Sequence, residues 1–551
     1  MGRGYWTPDE PREADIAWRM SFQSEKSVPL LAGEAFCEKP PLTYWAAGGA
    51  IRLLGAGAWA ARLPNLLYAL ITSLGVGLLA LRAAGPAAGI AAAASIGTFL
   101  LSYQVLIWLA TDAPLLAAVS VALFGAYQGF YAADRAGRLR GYCVMHLALA
   151  LGFLSKSAVA WMVPALTLAA LVVWERRWKE LLRWELWVGI LIQALVILAW
   201  VGSVYAGPEG AEHLKVFFWN NLAGRFVHVE APQGLQYAAA HRNSPGKYFL
   251  ELPVYLWPWT LLVIAAARRA WLERRAPRDE MRPVRFALAS TLPPLLLLSV
   301  AATARNIYLA PALPGCALLL GWWCRELRKV HDAWDRRAVR ATAVLLLMAA
   351  AGFAAALVIT DSGSRHALAA IAFLALIGSG VLALRAESAA RHGRMQRGAA
   401  ALLLSYCMVL TVPAVVLYGR VDDWQDLASI GRAIGADAAG RPLVLMTPDE
   451  TTRAMIDMYA RQDVGLVPAP MDASSVTQLQ QKLAEEPRAL VVVQLSGREI
   501  TDPYRRIAAD FGIAVASLEQ APAWASAAGF RVANRYSLPN GRRYALLAPI
   551  L

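Results

Sequence analysis

The chain has 551 residues, 58% of them apolar and 17% charged, against about 45–50% and about 25% in an average soluble domain. With a mean hydropathy of +0.43 and 20 Trp beside 18 Tyr, disorder is excluded and a single soluble globule disfavoured; the composition is that of a polytopic membrane protein. The net charge of +14 would suit nucleic acid, but in a membrane protein a basic surplus usually marks cytoplasmic loops.

Residues 1–61 are too polar to span a bilayer and too apolar for a plain linker. Pro8-Asp9-Glu10 opens a helical stretch to about Met20, with Pro and acids in its first turn. Asp9 and Glu13 fall on one face, Glu10 and Ala14 on another. Two readings are open: helix-start acids facing solvent, or a carboxylate held at the membrane surface as base or metal ligand. Glu38-Lys39-Pro40-Pro41 precedes Tyr44-Trp45 at a second interfacial segment. It reads either as a rigid turn with aromatic anchors or as a lysine held at headgroup level to meet a lipid phosphate.

Twelve apolar runs follow, each near the roughly 20 residues a spanning helix needs: 62–82, 85–104, 110–132, 142–155, 157–174, 185–205, 248–267, 286–302, 306–323, 341–360, 367–384 and 399–418. The fourth and fifth are short and split by Ser155-Lys156-Ser157, so they also read as one broken helix. Loops 133–141, 175–184, 268–285, 325–340 and 385–397 hold 3, 4, 7, 6 and 4 Lys/Arg, 24 in all, against 10 Asp/Glu. That surplus of 14 equals the surplus of the whole chain, so nucleic acid is not needed to explain the charge. Basic loops stay in the cytoplasm, which puts 1–61, the loop 206–247 and 419–551 on the outer face. An outer N-terminus with no preceding span is unusual for a bacterial inner-membrane protein, and the favoured reading is a chain that lacks its first helix.

Asp112, Lys156 and Arg305 lie at the outer ends of spans. Such charges either snorkel or line a water-filled cavity that meets a polar substrate. Because they share a side with Asp9 and Lys39, one outward-facing cavity around all five is expected. The loop 206–247 carries Asn220-Asn221, Arg225-Phe226, His228 and His241-Arg242-Asn243-Ser244-Pro245; two His thirteen residues apart are a weak metal signal beside ordinary solvated histidines. The last 133 residues shorten to strand-length runs (Leu443–Met446, Ala489–Val493, Tyr544–Leu547) alternating with amphipathic segments 449–460, 475–485 and 503–511. Pro539-Asn540-Gly541 reads as a hairpin turn. This is a small periplasmic α/β domain. Five Cys without a CxxC argue against a disulfide framework or zinc knuckle. No GxSxG, P-loop or dinucleotide fingerprint stands in the right context, so ATP-driven transport, soluble hydrolase chemistry and a nucleotide cofactor lose support.

Pro8-Asp9-Glu10, Glu38-Lys39-Pro40, Asp112, Lys156, Arg225-Phe226, His241-Arg242 with Pro245, and Tyr308 after a short outer loop form an ordered set. On this hydropathy profile the set resembles the 4-amino-4-deoxy-L-arabinose transferases that modify lipid A, within the dolichyl-phosphate-mannose protein mannosyltransferase superfamily. The likeness runs from about residue 5 to 418 and extends loosely beyond. It implies a mostly α polytopic GT-C membrane fold, with thirteen spans in the family and about twelve here, a polyprenyl-phosphate sugar donor and inversion at the anomeric carbon. By resemblance Asp9, with Glu10 beside it, matches the catalytic acidic position and Lys39 the lysine near the donor phosphate. Lys156, Asp112, Arg225, Arg305, Tyr308 and Arg62 are assigned to substrate, and Glu38 and His241 to a divalent ion. Departures are Glu13 where an aromatic commonly stands, Phe36 in place of Tyr, and Ala304-Arg305-Asn306-Ile307 before Tyr308. Each lies where sugar or acceptor would sit, so fold and donor class are clearer than the sugar.

The expected activity moves a sugar from that carrier to lipid A or another envelope acceptor at the periplasmic face of the inner membrane. Lys39, with Arg305 or Arg225, neutralises the departing phosphate. Asp9 is the base for a hydroxyl acceptor, or orients an acceptor phosphate or a cation. The rivals are an enzyme of the same fold acting on protein hydroxyls and a lipid or sugar transporter; internal symmetry would favour a transporter, and none is visible. A periplasm-dependent reporter fused after Leu551 is expected to be active; activity of a cytoplasm-dependent reporter there would overturn the orientation.

Overall fold

The structure, a computed structural model, describes residues 2–223, 245–301, 305–327, 331–360, 366–446, 448–462, 464–467, 473–496, Ala525 and 529–550. Contacts divide the chain into two compact units. One gathers Met1–Leu63, Ala211–Tyr237 and Gly419–Leu551; the other holds Pro64–Gly210 and Ala238–Tyr418.

The second unit is a helical bundle, and each of the twelve apolar runs falls on a helix or a bent helix pair. Among the described residues eight helices are long and apolar enough to cross a membrane, ten if each bent pair counts as one span. The remaining two runs are Arg135–Lys156, with four charges among its 22 residues, and Val159–Glu175, 17 residues long. They are separate helices, broken at Ser157, where φ is +62°. The pair Lys247–Tyr255 and Thr260–Leu272 bends by 111° at Trp257-Pro258, where proline removes a backbone donor and pushes the residue before it out of helical geometry. Many leucines of the bundle stay exposed on the outside, including Leu191, Leu195 and Leu198, as a lipid-facing surface requires.

The five basic loops meet at one end of this bundle. Tyr131 and Arg285 Nε both donate to Glu175 (2.6 and 2.8 Å), and Tyr142 donates to Glu180 (2.8 Å). Arg268 reaches Asp332 (2.7 Å) and Arg340 reaches Glu387 (2.8 Å), so carboxylates from three of the loops pin the arginines of their neighbours. Between helices the bundle depends on small residues. A Cβ on Gly141 would fall on the backbone of Gly129, 2.7 Å from its Cα, and one on Gly125 would stand 2.5 Å from the Met145 nitrogen. Close backbone approach of this kind is the usual packing device of membrane helices.

In the first unit, α1 (Glu10–Phe22) starts one turn after Trp6 with Pro11 and two acids in its first turn, which suits the positive end of the helix dipole. A hairpin of β1 (Leu30–Leu31) and β2 (Glu34–Ala35) turns at Gly33, φ +88°. Helices α2 (Leu42–Leu54) and α3 (Ala58–Arg62) follow. Ile16, Met20, Leu31, Phe36 and Tyr44 form one apolar cluster with Ala454 of the helix Glu450–Ala460. The first sixty residues and the C-terminal region, kept apart in the sequence reading, thus share a core.

The C-terminal region is an α/β fold with the five-stranded order β4-β3-β5-β7-β6. Strands β3 (Leu443–Met446), β4 (Val464–Val467) and β5 (Leu490–Ser496) are parallel; β6 (Phe530–Ser537) and β7 (Arg543–Pro549) close it antiparallel. The hairpin expected at Pro539-Asn540-Gly541 is there, with Gly541 at φ +88°. Helices Glu450–Ala460 and Ala473–Glu485 match two of the three amphipathic segments; the third, 503–511, lies outside the described residues. Strand β4 went unread because it is four residues at a sheet edge, half-buried, with Gly465 inside.

Gly141→Leu should lower the thermal midpoint in detergent by overpacking worth about 1–3 kcal/mol or more. Gly352→Leu, where an added Cβ meets nothing within 4 Å, should leave it in place. Equal midpoints for the two variants would refute the packing assignment.

Candidate functional site

The opening residues of α1 carry more buried charge than any comparable stretch of the described chain: Asp9, Glu10, Arg12, Glu13 and Asp15 are all buried. Burying a carboxylate is costly without a cation or several donors, and each acid solves this differently. Glu10 is enclosed by Arg3 and Arg62. Arg62 donates from Nε and Nη2 at 3.0 Å each, Arg3 Nη2 at 2.9 Å, and the Trp6 amide at 2.9 Å. Burial opposes ionisation here, but the Arg62 charge and then the Arg3 charge outweigh it and hold the carboxyl below its ordinary value. Arg62 also donates to the carbonyls of Arg3 (2.8 Å) and Gly4 (2.7 Å). Glu10, assigned by resemblance to the catalytic acidic position, and Arg62, assigned to substrate, pair with each other and anchor the chain before α1.

A second network joins Asp9 to Lys39. The Asp9 side chain does not cap α1; its Oδ1 accepts from Arg12 Nη2 at 3.2 Å. Arg12 also donates to Glu13 Oε1, 2.7 Å from Nη2 and 3.2 Å from Nε, and its Nη1 pairs with Glu450. Glu13 Oε1 accepts from Lys39 Nζ at 2.5 Å, and Oε2 from the Tyr44 hydroxyl at 2.7 Å. The Glu13 side chain is 0% exposed and that of Lys39 17%. Burial would push the Glu13 carboxyl up, but the Lys39 ammonium and then the Arg12 guanidinium bring it down to about 2. Tyr44 is raised well above its usual value by burial and by the Glu13 charge. So Lys39 finds its anion in Glu13. Arg12, unmentioned in the sequence reading, is the centre of the network; the available signal was a cation three residues after Asp9 and next to Glu13.

A third pair ties α1 to the helix Glu450–Ala460. Arg19 Nε donates to Asp457 at 2.6 Å. Asp15 accepts the Ala32 amide at 2.7 Å, and its other oxygen, though buried, receives no N–H or O–H. The Asp457 carboxyl is within hydrogen-bonding reach, and burial together with that neighbour pushes the Asp15 pKa well above its ordinary range. The protonated form of Asp15 is favoured accordingly.

Of the remaining expected residues, Asp112, Lys156, Arg305 and Tyr308 belong to the second unit. Lys156 Nζ lies 2.5 Å from Asp112 Oδ1 and 4.9 Å from the Tyr308 ring centroid, so those three form one group. The Arg305 carbonyl accepts from the Tyr248 hydroxyl at 2.7 Å, which fixes the backbone just before Tyr308. Arg225 and His241 lie outside the described residues. Glu38 is half-buried within electrostatic reach of Arg12, and its carbonyl accepts from Asn221 Nδ2 at 2.5 Å. Among the described residues no three His, Cys, Asp or Glu side chains gather closely enough to hold a metal ion.

Residues 38–201 match the family model described as dolichyl-phosphate-mannose-protein mannosyltransferase. The chain is 30% identical over 320 residues to the undecaprenyl phosphate-alpha-4-amino-4-deoxy-L-arabinose arabinosyl transferase of Pseudomonas paraeruginosa, covering 58% of this chain and 55% of that protein. The transferase of the same description from Edwardsiella ictaluri is 27% identical over 360 residues, 65% of this chain and 62% of the relative. The chain therefore spans little more than half the length of the curated relatives it matches. Crystal structures of ArnT from Cupriavidus metallidurans, apo and bound to undecaprenyl phosphate, superpose with a TM-score of 0.68 at 18% identity, covering 99% of this chain and 94% of that one. The fold is that of ArnT. The resemblance drawn from the ordered sequence motifs to the aminoarabinose transferases holds, and the protein is a multi-pass membrane protein of the GT-C fold.

The two acids respond oppositely to pH. Glu13, lowered from 4.5 to about 2, stabilises the fold fully above pH 4.5 and loses that contribution as pH falls toward 2. Asp15 is raised above 3.8, so it favours folding below that pH and works against it as pH rises. Asp15→Asn, which supplies an N–H to Asp457, is expected to raise the thermal midpoint at pH 7 by about 2–4 °C, with the gain shrinking toward pH 4. A midpoint at or below the parent's at pH 7 would refute the unfavourable burial of the Asp15 charge.

Proposed function

We propose that the protein is an inverting membrane glycosyltransferase that takes a sugar, aminoarabinose or a related one, from a polyprenyl-phosphate carrier. The sugar passes to lipid A or another envelope acceptor at the periplasmic face of the bacterial inner membrane, with the basic-loop end of the bundle in the cytoplasm. The observation that carries this reading is the Lys39 ammonium: it is a partly open cation in a network whose Asp9, Arg12 and Glu13 are buried. The similarity to arabinosyl transferases that act from undecaprenyl phosphate supports the donor class.

In this reaction the acceptor oxygen bonds to the anomeric carbon as the carbon–oxygen bond to phosphate breaks, and the phosphate leaves with the bonding electron pair. The carrier brings its own leaving group, so the chain's task is to neutralise and to orient. An ammonium fixed by a buried carboxylate keeps two further N–H donors for the departing phosphate, in a water-poor setting where such contacts count most. Asp9 takes the proton of a hydroxyl acceptor; with an acceptor phosphate, already ionised, it orients the acceptor instead. The match to the protein mannosyltransferase model favours one second reading, a hydroxyl on protein as acceptor.

Lys39→Ala should reduce transfer from a polyprenyl-phosphate sugar in detergent by at least about a hundredfold. Lys39→Arg should rescue only partly, because a forked guanidinium does not reproduce a point charge. Asp9→Asn should abolish transfer without unfolding the protein. Near-normal turnover in Lys39→Ala and Asp9→Asn at unchanged yield would sink the proposal. Lipid A weighed by mass spectrometry from cells with and without the gene should differ by one sugar; a sugar found on protein instead selects the second reading.

A further inference from the structure

The C-terminal α/β region has no part in the reaction just described, yet its helix Glu450–Ala460 reaches the Asp9 network directly. Arg12 is nearly enclosed, with an 8% exposed side chain, and it distributes one planar guanidinium over three carboxylates. Nη2 serves Asp9 and Glu13, Nε serves Glu13, and Nη1 serves Glu450. A guanidinium is rigid, so anchoring one edge fixes where the other edge points. The same helix end holds the backbone: the Thr451 hydroxyl donates to the Pro8 carbonyl at 3.1 Å, one residue before Asp9. That end is itself braced, since Asp449 accepts the Thr452 amide at 2.8 Å and Arg542 Nη1 at 2.9 Å. Glu450 is 42% exposed, so its charge is not needed to close a core, and its burial contributes little to stability. What it does is set the plane of Arg12.

We infer that Glu450 is a positioning residue for sugar transfer, acting through Arg12 on the Asp9 carboxylate, and that the C-terminal region thereby completes the reacting site. The inference rests on the transferase reading above. Without the Glu450 charge, Nη1 keeps at most a neutral acceptor and the guanidinium is drawn toward Glu13. The Asp9 carboxylate then loses its fixed direction. The Lys39 contact with Glu13 is untouched, so donor binding should survive while turnover does not.

The test uses the full-length protein in detergent with a polyprenyl-phosphate sugar donor, comparing Glu450→Gln, Glu450→Asp, Asp457→Asn and Lys39→Ala. Glu450→Gln is expected to lower kcat about tenfold, the scale of replacing a charge-assisted hydrogen bond by a neutral one, with the KM for donor within about twofold of the parent. Glu450→Asp should recover most of that loss. Asp457→Asn, which weakens the parallel Arg19 contact, should leave kcat unchanged. A parent-like kcat in Glu450→Gln, or the same kcat loss in Asp457→Asn, overturns the inference while leaving the transferase reading intact. Full activity in Lys39→Ala overturns that reading itself, and the inference with it.

Discussion

Four buried carboxylates within seven positions, Asp9, Glu10, Glu13 and Asp15, are the constraint around which the first unit is organised. None can be left bare in a medium of low polarity, because an unpaired buried charge is far more costly than any single apolar contact can offset. Cations and donors are drawn in accordingly: Arg3 and Arg62 to Glu10, Arg12 to Asp9, Lys39 and Tyr44 to Glu13, and the Ala32 amide to Asp15. The chain before α1, the β1–β2 hairpin, α2 and α3 take their places as a result. The apolar cluster around Ile16 and Tyr44 then fills the space between.

The same neutralisation links structure to chemistry. A transferase working on a phosphate leaving group needs a cation that stays charged yet remains open to its substrate. In the proposed reaction Lys39 is that cation, paired with the ionised Glu13 and still partly open. The network is thus stable without substrate and still has N–H groups to offer. Arg12 has no such freedom, and its three carboxylate contacts suit a group that sets geometry.

The second unit separates charge by position along the bundle. Loops rich in arginine are knitted together through Glu175, Asp332 and Glu387, while Asp112 and Lys156 neutralise each other beside Tyr308. Small residues at Gly125, Gly129 and Gly141 let the helices between them approach at backbone distance. In lipid, where no hydrophobic force drives helices together, that fit and the satisfied polar groups carry the packing.

What could be read from the sequence is what depends on local composition. The apolar runs, the alternate basic loops, the hairpin at Asn540-Gly541 and the helix opening at Asp9-Glu10 each advertise themselves within a few residues, because transfer to lipid, turn geometry and helix starts are local preferences. The ordered motifs also pointed to Asp9 and Lys39, which the fold links through Arg12 and Glu13. The tertiary structure alone decided which charge answers which. Glu13 looked like a departure from the family's aromatic and is the anion that holds Lys39. Glu10, assigned to catalysis, and Arg62, assigned to substrate, pair with each other. Arg12 meets Glu450, 438 positions away along the chain. An ion pair leaves no periodic trace in either of its segments, since any acid can serve any base that folding brings within reach; only the packed chain makes the choice.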